Sequence, residues 1–183
     1  MDEELNRIIR EAKQGNKDAF APLVHRFKDH VYRYAFGMLG DRMEAEDLSQ
    51  EAFMKCYASL PQLESEFSFV SWLNRIVSNL CVDRLKKRNK ETTKTTSQDA
   101  LGDMEIKSAR EQHRVDSLKQ TIDEAMELLS PDHRKIILLH DVQGFRYEEI
   151  AEILEIPLGT VKSRLNAARL ALRLVMRRGE DKV

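Results

Sequence analysis

The sequence contains few of the residues that interrupt helices and no pattern that builds sheets. Its 183 residues include only 7 glycines and 4 prolines, and no long stretch alternates apolar with polar side chains. A half-buried strand would show that alternation, so we expect an all-α protein. Hydrophobic residues make up 42% of the chain and charged residues 33%, which is typical of a folded protein and argues against a disordered one.

Cysteine pairs, metal-ligand patterns and long apolar runs are also missing. Cys56 and Cys81 lie among apolar residues without CxxC spacing, so we expect reduced core thiols, and the five histidines add no ligand pattern. The charged amphipathic N-terminus does not resemble a signal peptide, and no apolar run approaches the length of a membrane span. These features predict a cytoplasmic protein without a metal or other cofactor. No nucleophile and base can be paired into a catalytic site, so we do not expect an enzyme.

The stretch from Tyr147 to Arg173 has the pattern of a helix, a tight turn and a second helix. Pro157 and Gly159 interrupt the first apolar face, and Thr160 is expected to cap the second helix. From Val161 onward the apolar residues recur at helical spacing, and short polar and basic side chains occupy the opposite side. The pattern favours a helix that enters the DNA major groove. The alternative is an ordinary helical hairpin with a solvated polar face.

The second helix of this motif carries the candidate duplex-reading residues. Lys162, Ser163 and Asn166 project opposite the apolar face and are expected to face base edges, with Arg164 and Arg169 on the flanks, near phosphates. The complete candidate set is Thr160, Lys162, Ser163, Arg164, Asn166, Arg169 and Arg173. Leu170 and Leu174 lie on the same side as Asn166. They either bind a protein partner or pack within the domain.

The formal net charge of -1 hides a strong segregation of charge along the chain. Residues 84–94 and the segment from 162 onward are basic, whereas residues 41–51 are acidic. Two basic surfaces suggest DNA, and the acidic helix suggests a basic protein partner. The acidic face could also be merely solvated. A metal site there is not favoured, because no histidine or further acidic cluster completes it.

A polar, threonine-rich stretch at 90–113 separates two helical units and is expected to be a flexible linker. The N-terminal unit, 1–89, should contain four helices, with Asn16 capping the second. The fourth should run from about residue 67 to 87, with Trp72 on its buried stripe and Asn79 facing outward. The C-terminal unit, 114–183, should contain a helix capped by Ser130, followed by the helix-turn-helix.

Several motifs in this order span nearly the entire chain: residues 18–23, 45–53 and 69–83, then Leu129-Ser130-Pro131 with Arg134, and residues 147–164. Together they resemble a group IV, or extracytoplasmic-function, sigma factor of bacterial RNA polymerase. The resemblance implies two helical domains, sigma region 2 and sigma region 4, joined by a reduced linker. It also implies a promoter-specificity subunit that binds core RNA polymerase and promoter DNA and acts on no small-molecule substrate.

The resemblance also assigns roles to residues. Region 2 would dock on the β′ coiled coil of core polymerase through Glu44, Asp47, Gln50 and Glu51. The β flap is the second part of core polymerase that the resemblance implies as a partner. Asn79 and Asp83 would help to read the melted −10 element, with phosphates held by Arg75, Arg84, Lys86, Lys87 and Arg88. Region 4 would read the −35 element as duplex. Family members are commonly held inactive by an anti-sigma factor, often anchored in the membrane.

Two positions depart from the family pattern. The loop that captures a flipped −10 base often carries an Arg-Gly-Asp/Glu run, whereas the matching stretch is Leu63-Glu64-Ser65-Glu66. In the recognition helix, Asn166 and Ala167 replace common Arg or His contacts, which shifts the reading onto Lys162, Ser163 and Asn166. The alternative function is a helix-turn-helix regulator that binds duplex DNA without polymerase. That alternative leaves the acidic helix and the Asn79 helix without a role.

Overall fold

The computed structural model describes residues 3–95 and 122–180, and within these ranges the secondary structure is helical, as the sequence predicts. The N-terminal unit consists of α1 (Glu3–Lys13), α2 (Lys17–Leu39), α3 (Arg42–Ser59) and α4 (Phe69–Thr95). Two 3₁₀ turns, Leu60–Gln62 and Glu66–Ser68, connect α3 to α4. The C-terminal unit consists of helical residues 122–127 (α5), α6 (Pro131–Ile137), a π-helical turn (Leu138–Val142), α7 (Tyr147–Leu154) and α8 (Leu158–Glu180).

Local capping explains where several helices begin. The Asn16 side chain accepts a hydrogen bond from the Asp18 N–H at 3.0 Å, and Ser130 accepts one from the His133 N–H at 3.3 Å. Both predicted caps are confirmed. The prediction for Thr160 is wrong: α8 already begins at Leu158, and the Thr160 N–H donates to the Pro157 carbonyl at 2.8 Å. The backbone of the turn therefore starts this helix two residues before the expected hydroxyl cap.

Helix α4 is longer than its apolar stripe suggests. It continues to Thr95, past the predicted unit boundary at residues 89 and 90. The residues that extend it include no glycine or proline, and lysine, arginine and glutamate have high helix propensity. The rest of the predicted linker, and the helix face that was expected to begin near residue 115, lie outside the described residues until 122.

The two units share one continuous apolar core. Leu138 of the π-helical turn packs so closely on α2 that a Cβ added to Gly37 would lie 2.6 Å from its Cδ2 atom. The Arg134 guanidinium, only 5% exposed, donates from Nη1 to the Met38 carbonyl at the end of α2. Because this charged group is buried, its hydrogen bonds to carbonyls are needed to offset desolvation. The C-terminal unit is thereby tied to the N-terminal one.

Gly40 provides a test of how α2 ends. Its φ is 73°, in the left-handed region, and its N–H donates to the Phe36 carbonyl at 2.8 Å. An added Cβ would also meet the Glu127 carboxylate. We expect Gly40→Ala to lower the free energy of unfolding by about 1–2 kcal/mol in a denaturant titration. Gly159→Ala is the control, because a Cβ there meets nothing within 4 Å. Equal losses in both variants would contradict this explanation.

Candidate DNA and polymerase interface

The helix-turn-helix is held together by apolar side chains that α7 and α8 bury between them and the neighbouring helices. They are Ile150, Ile153, Val161, Leu165 and Ala168. Glu155 ends α7 with a φ of 53°, and the Ile156 N–H donates to the Ala151 carbonyl at 3.1 Å. This left-handed residue turns the chain sharply, so that α8 can begin three residues later.

The exposed face of α8 carries the predicted base-reading residues. Lys162, Ser163 and Asn166 are exposed, opposite the buried apolar side, and Arg173 is exposed farther along the helix. Thr160 is half-buried, and its carbonyl accepts a hydrogen bond from the Ser163 hydroxyl at 3.1 Å. A lysine, a hydroxyl and an amide in adjacent turns provide the donors and acceptors that base edges in a major groove require.

The two flanking arginines have partners within the protein. Arg169 donates from Nε to Asp141 Oδ2 at 3.1 Å and pairs through Nη2 with Oδ1, and this interaction raises the pKa of the guanidinium. Arg164 is half-buried. A hydrogen bond from Lys135 lowers the pKa of Asp132, and the nearby charge of Arg164 lowers it further. Arg169 would therefore have to break its interaction with Asp141 before it could make the predicted contact with a DNA phosphate.

One face of α4 aligns an aromatic ring, an amide and basic side chains. Trp72, Arg75, Asn79 and Lys86 follow one another at spacings of three, four and seven residues, which places them on the same side of a helix. Asn79 and Lys86 are exposed, as is Asp83 beside them. Within the described ranges, the Asn79 side chain has no hydrogen-bond partner, so both its donor and its acceptor are available.

Buried polar side chains fix the rotation of α4 against α2. The Tyr34 hydroxyl donates to Ser78 Oγ at 3.2 Å, and His30 Nε2 lies 3.0 Å from Asn74 Oδ1. Burial lowers the pKa of His30, so the neutral ring with a proton on Nε2 donates to this amide. Asn74 and Ser78 are buried on the side of α4 that packs against α2, whereas Asn79 is exposed.

Two of the predicted −10 cations lie on the other side of α4. Arg84 donates to Glu51 Oε2 at 3.2 Å and to the Glu44 carbonyl at 3.5 Å, while Arg88 donates to the Leu39 carbonyl at 3.4 Å. These arginines therefore join α4 to α3 and α2, and the structure does not bring them together with Asn79. Lys87 is exposed. Periodicity places the residues around the helix but does not identify partners more than 30 residues away.

A cavity of about 300 Å³ lies at the N-terminal end of this α4 face. The 3₁₀ turns and α4 supply most of its lining, and α7 supplies Glu152. The lining residues are Gln62, Leu63, Glu64, Ser68, Ser71, Trp72, Arg75 and Glu152. Trp72 was expected to belong to the core, and it does pack against the core, but it is only half-buried and also borders this cavity. Its spacing from Arg75 and Asn79 was the signal in the sequence that could have identified it.

The acidic helix α3 presents an outward stripe that differs from the predicted set. Asp47 and Gln50 are exposed, and two methionines lie above and below them at helical spacing, Met43 at 77% and Met54 at 74% exposure. Glu51 pairs with Arg84, and Glu44 Oε2 is buried without a hydrogen-bond partner. Sequence reasoning missed the methionines because it followed charge. Large exposed apolar side chains beside polar ones are typical of a protein-binding surface.

The described part of the chain shows no group of three or more His, Cys, Asp or Glu residues placed to hold a metal ion. Cys56 and Cys81 are free and buried, and burial raises the pKa of both thiols to about 12. Both thiols are therefore protonated at neutral pH. None of the helices in the described ranges has the length and apolar character needed to cross a membrane.

Comparison with known proteins connects these surfaces to a family. Residues 23–91 match Sigma-70 region 2, and residues 119–172 match Sigma-70, region 4. Over 181 residues the chain is 34% identical to the ECF RNA polymerase sigma factor SigW of Bacillus subtilis. The alignment covers 94% of this chain and 97% of that protein. The chain belongs to the ECF family of RNA polymerase sigma factors. The predicted family is confirmed.

Other relatives of this ECF sigma factor extend over most of its length. The RNA polymerase sigma-H factor of Pseudomonas aeruginosa is 30% identical over 178 residues, 93% of this chain and 92% of that one. The solved sigma factor RpoE of Bartonella quintana, in complex with the anti-sigma factor NepR, has a TM-score of 0.68 at 25% identity, over 86% of this chain and 96% of that chain. CnrH in complex with the cytosolic domain of CnrY has a TM-score of 0.72 at 20% identity. The match covers 95% of this chain and 97% of that chain and shows the same fold.

Membership in the family defines the general activity. An ECF sigma factor is a non-enzymatic specificity subunit of RNA polymerase, so this chain directs core polymerase to promoters. Helices α2 to α4 lie within the region 2 match, apart from their outer ends, and α5 to α7 with most of α8 lie within the region 4 match. The individual contacts to DNA and to polymerase stay predictions.

Proposed function

We propose that this ECF sigma factor holds the −10 element as a single strand on the exposed face of α4 and reads the −35 element as duplex with α8. The observation that carries the proposal is the alignment of Trp72, Arg75, Asn79 and Lys86 beside a cavity. An aromatic ring can stack on an unpaired base, an amide can bond to a base edge, and cations can hold phosphates. All three are needed to keep a melted strand from re-pairing.

Core polymerase binds the outward stripe of α3 in this proposal. Met43, Asp47, Gln50 and Met54 form a continuous exposed surface with one carboxylate at its centre. Such a surface suits a basic helical partner, for which the family resemblance points to the β′ coiled coil, while region 4 engages the β flap. Glu51 would contribute less directly because it pairs with Arg84, and Glu44 because its Oε2 is buried. Since polymerase and promoters are cytoplasmic, we expect the protein to act in the cytoplasm.

An anti-sigma factor is the expected regulator. Leu170 and Leu174 are 59% and 51% exposed on the same face as Asn166, with Arg173 and Arg177 exposed nearby. An acidic amphipathic helix, carried by a soluble or membrane-anchored protein, would match both the apolar pair and the surrounding charge. RpoE of Bartonella quintana was solved in complex with an anti-sigma factor, NepR, which supports regulation by an anti-sigma factor by similarity.

Run-off transcription with core polymerase tests the proposed function. We expect the chain to start transcripts at defined promoters on a pool of genomic fragments, and core polymerase alone to start none there. A helix-turn-helix regulator that acts without polymerase would bind duplex DNA but would not confer promoter-specific initiation. That result would overturn the assignment of region 2.

The −35 reading can be tested with two variants on one helix face. Asn166→Ala should change which −35 sequences are selected, because an amide at a base edge discriminates between bases by about 1–3 kcal/mol. Arg173→Ala should weaken binding about equally for all sequences and lower the salt slope by roughly 1. Binding-site selection followed by salt titration measures both effects. Changed preference only in Arg173→Ala would mean that α8 enters the groove with a different rotation.

A further inference from the structure

Helix α7 of region 4 packs against the N-terminal end of the α4 face that we assign to single-stranded DNA. Arg75 Nη1 is 2.7 Å from Glu155 Oε1, and Glu152 lines the cavity beside Trp72. These carboxylates are 80 and 77 residues away from Arg75 in the chain, so only the packing of the two units brings them there. A carboxylate on this guanidinium occupies the position that a DNA phosphate would need.

The backbone of Glu155 is unusual for its residue type. Its φ of 53° makes it the one non-glycine residue with a positive φ in the described ranges. The left-handed conformation is strained for a residue with a Cβ atom, and glycine is the usual residue at such a helix end. The turn itself therefore does not require glutamate. What the side chain adds is the interaction with Arg75.

We propose that Glu155 is an intramolecular competitor of the −10 strand: it occupies Arg75 in the free protein, while Glu152 narrows the cavity next to it. The inference rests on the proposed function, because it assumes that this α4 face binds single-stranded DNA. In the free chain the Arg75 end of the strand-binding surface is covered while Asn79 and Lys86 stay exposed, and the whole surface becomes available when α7 separates from α4. Region 4 then regulates region 2 through the same helix-turn-helix that reads the −35 element.

The competitor is positioned by packing and not by its own ion pair. The side chains of Arg75 and Glu155 are 38% and 68% exposed, and an ion pair this open contributes little to stability. The contacts of Leu138 with Gly37 and of Arg134 with the Met38 carbonyl hold the units together, and Gln143 adds a hydrogen bond to the His30 carbonyl at 3.3 Å. A tethered carboxylate has an effective concentration on the order of millimolar, which dilute DNA must overcome.

Binding of a fluorescent single strand of about 12 mixed-sequence nucleotides to the full chain, followed by anisotropy, tests this proposal. We expect Glu155→Gly and Glu155→Gln each to tighten binding by about three- to tenfold. The slope of log K against log salt should become steeper by about 0.7, the value for one added phosphate contact on a single strand. Glu124→Gln removes the same charge from an exposed site that does not line the cavity, and it should change neither quantity.

A second comparison identifies the competing group. Adding Arg75→Ala to Glu155→Gly should abolish the gain in affinity. A gain that persists, or Glu155 variants that bind with wild-type affinity and salt slope, would overturn the proposal. Glu155→Gly should also raise the melting temperature relative to Glu155→Gln, which shows that both variants are folded and separates backbone strain from charge. The run-off assay uses core polymerase and this assay does not, so failure of the proposed function is distinguishable from failure of the competitor.

Discussion

Replacing Asp47 with lysine should weaken the binding of core polymerase by at least about 30-fold, roughly 2 kcal/mol. Asp47 is exposed at the centre of the α3 stripe, between Met43 and Met54. A lysine there would place like charges together at a basic partner and leave the flanking apolar contacts imperfectly packed. Titration of labelled core polymerase at physiological salt measures the loss, since long-range charge effects depend strongly on ionic strength.

Asp29→Lys is the matched control for this prediction. Asp29 is exposed on α2, so the substitution makes the same change in net charge away from the stripe. It should leave core binding within about twofold of wild type, as expected for a surface substitution. Glu51→Lys is a poor choice, because it would put a lysine next to Arg84, the present partner of Glu51, and disturb the packing of α3 on α4. Equal binding by Asp47→Lys and wild type would show that the docking surface lies elsewhere.

The second large effect concerns promoter melting. Asn79→Ala should reduce open-complex formation by about 1–3 kcal/mol, which is on the order of 5- to 150-fold, because it removes a donor and an acceptor from the strand-binding face. Core binding and −35 affinity should not change, since Asn79 is exposed on α4 and the proposed docking and duplex-reading residues lie on α3 and α8. Permanganate reactivity of thymines in the −10 region measures the open complex directly.

Gln14→Ala provides the comparison for Asn79→Ala, because it removes an exposed amide at the end of α1. It should leave thymine reactivity unchanged. If both variants react like wild type, Asn79 does not read the strand. If Asn79→Ala also loses core binding, its effect comes from the fold of region 2 and not from a contact with DNA.

Much of the architecture could be predicted because it depends on interactions within a few residues. Asn16 and Ser130 accept hydrogen bonds from backbone N–H groups two and three residues away. Residues close to these caps in the sequence therefore determine where the helices begin. The apolar spacing of α8 correctly predicted that Val161 and Leu165 are buried and that Asn166 is exposed. The predicted cap at Thr160 failed for the same local reason, because the Pro157 carbonyl starts the helix earlier.

The predicted sites were less complete, because their missing members come from distant parts of the chain. The cavity beside Trp72 needs the 3₁₀ turns, α4 and Glu152 together, and no local pattern indicates that combination. The methionines of α3 were overlooked because the charge pattern pointed to its carboxylates. Helical spacing places Met43 and Met54 on the face of Asp47 and Gln50, and the packing of α3 leaves that face exposed.

The all-α class, the helix-turn-helix and the motifs of an ECF sigma factor could all be recognised from the order of the residues. Helical periodicity and capping act over four residues or fewer, so they can be recognised without the fold. Which cations are already engaged became visible only in the folded chain: Arg84 pairs with Glu51, Arg169 with Asp141 and Arg75 with Glu155, over separations of 33, 28 and 80 residues. Periodicity locates a side chain around its own helix, but its partner depends on which other helix packs against that side.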